Sequence, residues 1–272
     1  MALVNPPRPS SQNPTQAKPD YRNLPNIPRT DAWWVQPALV VIVFLAFIVY
    51  ANWRTFENNY YEVGPYLSPF YSPKITTSWM LFGKHISPAL YILPIPLLFR
   101  ATCYYYRKAY YRAFFWDPPA CAVPESSFRH KYAGEREFPL ILQNLHRNAF
   151  YFAAVILVIL WWDTILAFRF PNSGGPGYHF GIHLGSLIFL ANSVLLSLYT
   201  LSCHSWRHLS GGCLNCFSCS SANKARHSIW ERVTHLNHNH PLWAWCSLFS
   251  VALTDLFVRQ LAAGAIHDVR FF

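Results

Sequence analysis

The side chains able to ligate a metal or carry a proton fall in a few short stretches of this sequence. They are Cys103; Asp117-Pro118-Pro119-Ala120-Cys121; Gln143-Asn144 with His146-Arg147; Cys203-His204-Ser205-Trp206-Arg207-His208; Cys213, Cys216 and Cys219; and His238 with His240. In a helix running on past Cys203, His204 and His208 would stand at i and i+4 on one face, where two imidazoles reach one metal centre. A pair of interfacial histidines against headgroups has the same spacing; the cysteines nearby favour the metal. Cys213-x2-Cys216-x2-Cys219 has the spacing of a zinc or iron–sulfur loop. It is also the composition of a flexible loop of small residues. Seven cysteines, an odd number placed at helix ends, do not make a disulfide framework, so reduced thiols or metal ligands are expected.

Haem is the other redox group to weigh. Bis-histidine ligation needs imidazoles from different helices at one depth. Only His183 lies well inside an apolar segment, so no haem is expected. Asp163 is the one carboxylate in its apolar run, and an acid inside a membrane is costly enough to hint at function. Its neighbours Trp161, Trp162 and Arg169 instead predict an interfacial ion pair.

The composition says what positions these residues. Of 272 residues 53% are hydrophobic and 12% charged, about half the charged share of a soluble domain. Such a chain cannot cover a surface facing water, and its 18% aromatic content suits the two interfaces of a bilayer. Four segments hold the roughly 20 mostly apolar residues that crossing requires: Trp33 to Trp53, Phe150 to Phe168, Phe180 to Ser202 and Leu242 to Ala262. A fifth, starting near Ile86 and continuing through Phe99 to Tyr106, contains Pro88, Pro94 and Pro96 and reads as a kinked helix. The predicted fold is all-α, an integral membrane bundle of five transmembrane helices over residues 31–272 with long cytoplasmic loops. Residues 1–30, rich in proline, read as a cytoplasmic tail.

Lys and Arg set the orientation. Arg8, Lys18, Arg22 and Arg29 in the tail, Arg107 to Arg147 in the second connection and Arg207 to Arg232 in the fourth all lie on one side of a five-span chain. The positive-inside rule puts that side, and the N-terminus, in the cytoplasm. The same topology brings thiols and imidazoles from four helices to one membrane face. The net charge of +10 is accounted for in this way; with no basic stripe or binding motif, nucleic acid is excluded as a partner. No internal repeat is visible.

Several long stretches resemble one family. Phe99-Arg100-Ala101-Thr102-Cys103-Tyr104-Tyr105-Tyr106-Arg107 through Arg112, Asp117-Pro118-Pro119-Ala120-Cys121, Phe138 to Arg147, Cys203 to His208 with Gly211-Gly212, and Trp243 to Phe257 are similar to the membrane-anchor subunit of actinobacterial succinate dehydrogenase (respiratory complex II), of the first mycobacterial type. The similarity covers nearly everything after Tyr60. It implies a multi-pass protein of the bacterial plasma membrane, bound to a flavoprotein subunit and an iron–sulfur subunit. It also implies electron transfer to quinone, menaquinone or ubiquinone, through a membrane-embedded Rieske-type [2Fe–2S] cluster, without haem. The ligands implied are Cys103, Cys121, His204 and His208, the four within the family-like motifs. His146 and His240 stand in reserve; otherwise, with Arg107, Tyr104 and Trp206, they line the quinone site. Cys213, Cys216 and Cys219 lie outside the similar stretches and stay open as ligands.

The alternative class is a membrane transporter or a zinc-dependent intramembrane enzyme. The first calls for charged or broken helices near the midplane and the second for H-E-x-x-H or a similar acid beside the histidines. Neither signature is present; the kinked second helix is all that suits a transporter.

Overall fold

A computed structural model describes residues 29–75, 80–81, 84–85, 87–116, 118–123, 136, 138, 140–172 and 174–272. Most of the tail lies outside the described residues. Four helices are long and apolar enough to cross a membrane: α1 (Val35–Glu57), α5 (His146–Leu166, preceded by a 3-10 turn Leu140–Leu145), α6 (Leu184–Leu201) and α9 (His240–Ala262). The segment expected as a fifth span is divided into α2 (Ala89–Ile92), α3 (Pro94–Ala101) and α4 (Tyr104–Phe114). The apolar part, Ala89–Ala101, reaches only about 20 Å at ~1.5 Å per residue, short of a bilayer core of about 30 Å. The chain before it makes up depth by folding inward. Hairpin β1–β2 (Glu62–Val63, Tyr66–Leu67) and a 3-10 turn Pro69–Tyr71 sit against α9, with Phe70 and Tyr71 buried. A second hairpin pairs β3 (Met80–Leu81) with β4 (Lys84–His85), and a third pairs β5 (Arg169–Pro171) with β6 (Tyr178–Phe180) between α5 and α6.

Local sequence explains the element ends. Pro37 stands in the first turn of α1 and Pro241 in the first turn of α9, where a missing N–H leaves no bond unmade. α1 stops at Asn58, whose left-handed backbone (φ 46°) lets its N–H close on the Arg54 carbonyl. Helix α6 follows α9 and α5 closely, and Gly185 allows this at its start: a Cβ there would stand 2.5 Å from Cζ of Tyr66. The Tyr66 hydroxyl in turn donates to Asp268 at 2.6 Å.

The connections expected as long loops are themselves partly helical. α4 follows α3 directly, and α6 is followed by α7 (His204–Arg207), a π-helical turn His208–Gly212 and α8 (Ser221–His238). These polar helices cap one end of the bundle. At the opposite end Asp255, fully buried, accepts from Arg54, Tyr50 and Ser68, while Glu57 accepts from Arg259 and Arg54.

Two expectations change here. Asp163 does not pair with Arg169; it accepts from the Ser72 hydroxyl, and the Arg169 guanidinium lies over the Tyr178 ring at 5.4 Å. The strands β5 and β6 carry Arg169 away from the helix end, which the spacing in sequence could not reveal. His183 is the cap of α6, stacked on Phe170 at 3.8 Å and 3.2 Å from Asp268, so it is a fastening at the bundle end.

Candidate metal centre

Both α3 and α6 end the same way. Thr102 and Ser202 close their helices, and the next residue, Cys103 or Cys203, is extended (φ −63°, ψ 129° and φ −66°, ψ 145°) and starts a new helix. The cause is local. The Thr102 hydroxyl donates to the Leu98 carbonyl at 2.7 Å and the Ser202 hydroxyl to the Tyr199 carbonyl at 3.0 Å. Such hydroxyls compete with the backbone ladder at a helix end. The turn aims both sulfurs into the bundle, where Cys103 is 3% and Cys203 1% exposed.

Each remaining ligand-type residue opens a long helix: His146 is the first residue of α5 and His240 the first of α9. Four helix ends therefore meet. Nε2 of His146 lies 2.9 Å from Sγ of Cys203, and Nε2 of His240 lies 3.4 Å from Sγ of Cys103. The ring of His146 stacks on Phe99 (centroids 4.8 Å, 4°) and that of His240 on Tyr199 (5.1 Å, 17°). Nδ1 of His146 is 3.0 Å from the Thr102 hydroxyl and Nδ1 of His240 is 2.7 Å from the Ser202 hydroxyl. Each imidazole is thus held by the aromatic and hydroxyl of one helix end while facing the thiol of the other. Phe150, Tyr106, Ala149 and Ala244 pack around the junction and keep it dry.

Charge follows from burial. Burial pushes the Cys203 thiol up to about 12, with Cys103 adding to the shift, and it raises Cys103 as well. Both are therefore protonated unless a cation replaces their protons, which is the linkage between metal binding and thiol ionisation. Two thiols and two imidazoles from four helices are the donor set of a binuclear iron group with two thiolates on one iron and two neutral imidazoles on the other. Arg100 lies within Coulombic reach of Cys103. Its guanidinium donates to the Tyr106 hydroxyl (2.6 Å), the Ala244 carbonyl (3.2 Å) and the Ser247 hydroxyl (3.0 Å), and it sits 4.5 Å above the Tyr199 ring. Among the described residues it has no carboxylate partner.

Of the four residues expected as ligands, only Cys103 is at this junction. Cys121 is exposed in a turn whose carbonyl accepts from Arg29. His204 makes none of the described hydrogen bonds to either thiol; these pair with His240 and His146. His204 is close enough to His146 and His240 to interact with them electrostatically, and burial, then Arg207, lowers its pKa. His208 begins the π-turn and packs beside Gly212; its N–H bonds the His204 carbonyl, so the two stand one helical turn apart, but on a short helix that starts after Cys203 and not on a continuation of α6. Cys216 and Cys219 are joined in a disulfide, and Cys213 accepts from Arg226 at 3.1 Å. Among the described residues no group of three or more His, Cys, Asp or Glu side chains is placed to hold a single metal ion. Of the residues expected around quinone, His146 and His240 lie in the junction and Trp206 packs on Phe150 (centroids 6.0 Å). Tyr104 is 61% exposed under the Arg107 guanidinium.

Cys203, the thiol of this junction absent from the expected ligand set, was marked by a pattern. Phe99-x-x-Thr102-Cys103-x-x-Tyr106-Arg107 and Tyr199-x-x-Ser202-Cys203-x-x-Trp206-Arg207 share aromatic, hydroxyl, cysteine, aromatic and arginine in register. The chain therefore has a short internal repeat, and the next long apolar helix after each copy, α5 or α9, begins with histidine. Beyond the junction, a cavity of about 440 Å³ opens between α1, α3, α5 and α6, lined by Phe99, Arg100, Tyr199, Leu93, Leu157 and Phe47 among others.

A family profile described as the actinobacterial succinate dehydrogenase subunit SdhC matches residues 35–264. The chain belongs to that family. It is thus a membrane-anchor subunit of succinate dehydrogenase, an oxidoreductase, and partners with the other subunits of that complex in a membrane. A chain of the Mycobacterium smegmatis Sdh1 complex in the apo form is similar throughout, with 43% sequence identity and a TM-score of 0.80 over 93% of this chain and 97% of that one. No curated protein matches.

Proposed function

We propose that Cys103, Cys203, His146 and His240 hold a Rieske-type [2Fe–2S] cluster and that this chain links an iron–sulfur subunit to quinone. The observation that carries the reading is the crossed pairing of two buried thiols with two imidazoles at the ends of four helices. When bound, the group supplies a one-electron carrier. The chain's own part is to exclude water with Phe99, Phe150 and Tyr199, to fix both rings by stacking, and to place the Arg100 guanidinium alongside. A cation beside a centre that gains an electron stabilises the added negative charge.

The apolar cavity reached past Phe99, Arg100 and Tyr199 suits a prenylated quinone, ring toward the junction and chain toward lipid. This reading moves quinone from the interfacial residues Tyr104, Arg107 and Trp206 to the interior. The polar helices α4 and α8 and the tail are the docking surface for the iron–sulfur subunit, which the flavoprotein subunit feeds. Arg107, Arg112, Arg147, Arg207, Arg226 and Arg232 all belong to the junction end, and the positive-inside rule makes that end, and the N-terminus, cytoplasmic in the bacterial plasma membrane.

Electron paramagnetic resonance of the reduced purified complex tests the reading. Two imidazole ligands lower the average g value relative to an all-cysteine cluster, and that signal is expected beside those of the partner subunit. A fully reduced complex showing only all-cysteine signals would overturn it.

A further inference from the structure

The hydroxyls of Thr102 and Ser202 do more than end two helices. Each is buried, at 4% and 0% exposure, and each has one hydrogen. Thr102 donates it to the Leu98 carbonyl at 2.7 Å, and Ser202 donates it to the Tyr199 carbonyl at 3.0 Å. Toward the imidazoles, 3.0 Å from Nδ1 of His146 and 2.7 Å from Nδ1 of His240, each hydroxyl has only lone pairs left to offer.

We infer that Thr102 and Ser202 are positioning residues that lock His146 and His240 in the Nδ1–H tautomer, turning the Nε2 lone pair of each ring toward the cluster. The inference rests on the cluster reading above and adds to it the source of ligand orientation. A neutral imidazole has one protonated and one bare nitrogen, and the hydrogen bond made by one decides which nitrogen is free to bind. Here a hydroxyl that is already committed as a donor can only accept, so Nδ1 must carry the proton and Nε2 must be bare. The bare nitrogens are the ones that face Cys203 and Cys103. Accepting from Nδ1–H also makes each ring a stronger base toward iron.

The arrangement is duplicated by the repeat, since hydroxyl and cysteine are adjacent in both copies. The hydroxyl of one copy orients the imidazole that faces the cysteine of the other. The residue before each cysteine is therefore part of the site, and its requirement is a hydroxyl, not merely a small side chain.

The test uses the whole complex carrying Thr102→Val, Ser202→Ala, both together, or Thr102→Ser. Removing such an outer partner costs about 10–100-fold in metal affinity, so iron retention against a chelator should fall by that factor in Thr102→Val and Ser202→Ala. Weaker imidazole donation favours the reduced state, so the midpoint potential of the His-ligated signal should rise in both and rise most in the double variant. Thr102→Ser keeps the hydroxyl and should restore retention, potential and g values to those of the parent. Unchanged potential and g values with both hydroxyls removed would overturn the inference while leaving the cluster reading intact. Absence of a His-ligated signal in the parent complex would overturn both, before any variant is made. If the double variant does not assemble, the potential of Ser202→Ala alone decides in the same terms.

Discussion

Replacing Asp255 by Asn should loosen the end of the bundle opposite the junction by a calculable amount. The carboxylate is fully buried and receives Arg54 Nε at 2.7 Å and Nη2 at 3.4 Å, together with the hydroxyls of Tyr50 and Ser68. Arg54 is equally buried, so losing the charge on Asp255 leaves a guanidinium short of its partner in low dielectric. Breaking a buried pair from one side costs about 3–5 kcal/mol. The lower end applies, because Arg54 keeps Glu57 and the carbonyls of Asn59 (3.0 Å) and Tyr60 (3.4 Å). At about 2–4 °C per kcal/mol for a chain of this size, Asp255→Asn should lower the melting temperature by about 6–12 °C. Near-ultraviolet circular dichroism of the purified complex on heating would read this. Removing both charges as Arg54→Met with Asp255→Leu should cost much less than the two single changes summed, since no orphan charge remains. A shift below about 2 °C for Asp255→Asn, or strict additivity in the double variant, would refute the account of this network as a coupled buried unit.

Two further outcomes bear on the junction. His146→Ala with His240→Ala should abolish quinone reduction and the His-ligated signal, while succinate oxidation by an artificial soluble acceptor persists. His204→Ala with His208→Ala, which touches neither thiol in the described hydrogen bonds, should retain all three, and a parallel assay of the two double variants separates the ligand sets. Arg100→Gln removes a cation near Cys103 and should lower the midpoint potential of the same signal, whereas Arg100→Lys should lie between; a potential unmoved by Arg100→Gln would refute a role for Arg100 in tuning the centre.

The sequence alone determined the solvent, the class and the family. Twenty-residue apolar runs have few structural solutions, so α1, α5, α6 and α9 were readable from hydropathy, and α5 and α6 end within a few residues of the expected positions. The gathering of cysteines and histidines at one membrane face followed from counting crossings. What sequence order could not decide was which of them meet. His204 and His208 stand one helical turn apart, but on a short helix that begins only after α6 ends at Ser202, and the imidazoles that meet the thiols are those of His146 and His240 instead. Cys121 lies within a family-like motif yet its turn leaves it exposed. The repeated aromatic-x-x-hydroxyl-Cys pattern was present in the sequence and is short enough to pass for chance until both copies are seen at helix ends. The crossed pairing of Cys103 with His240 and Cys203 with His146 joins residues from distant parts of the chain. It depends on how α3, α5, α6 and α9 pack, and a local pattern carries no information on that packing: each helix end fixes its own thiol or imidazole, but only the bundle decides which one it will face.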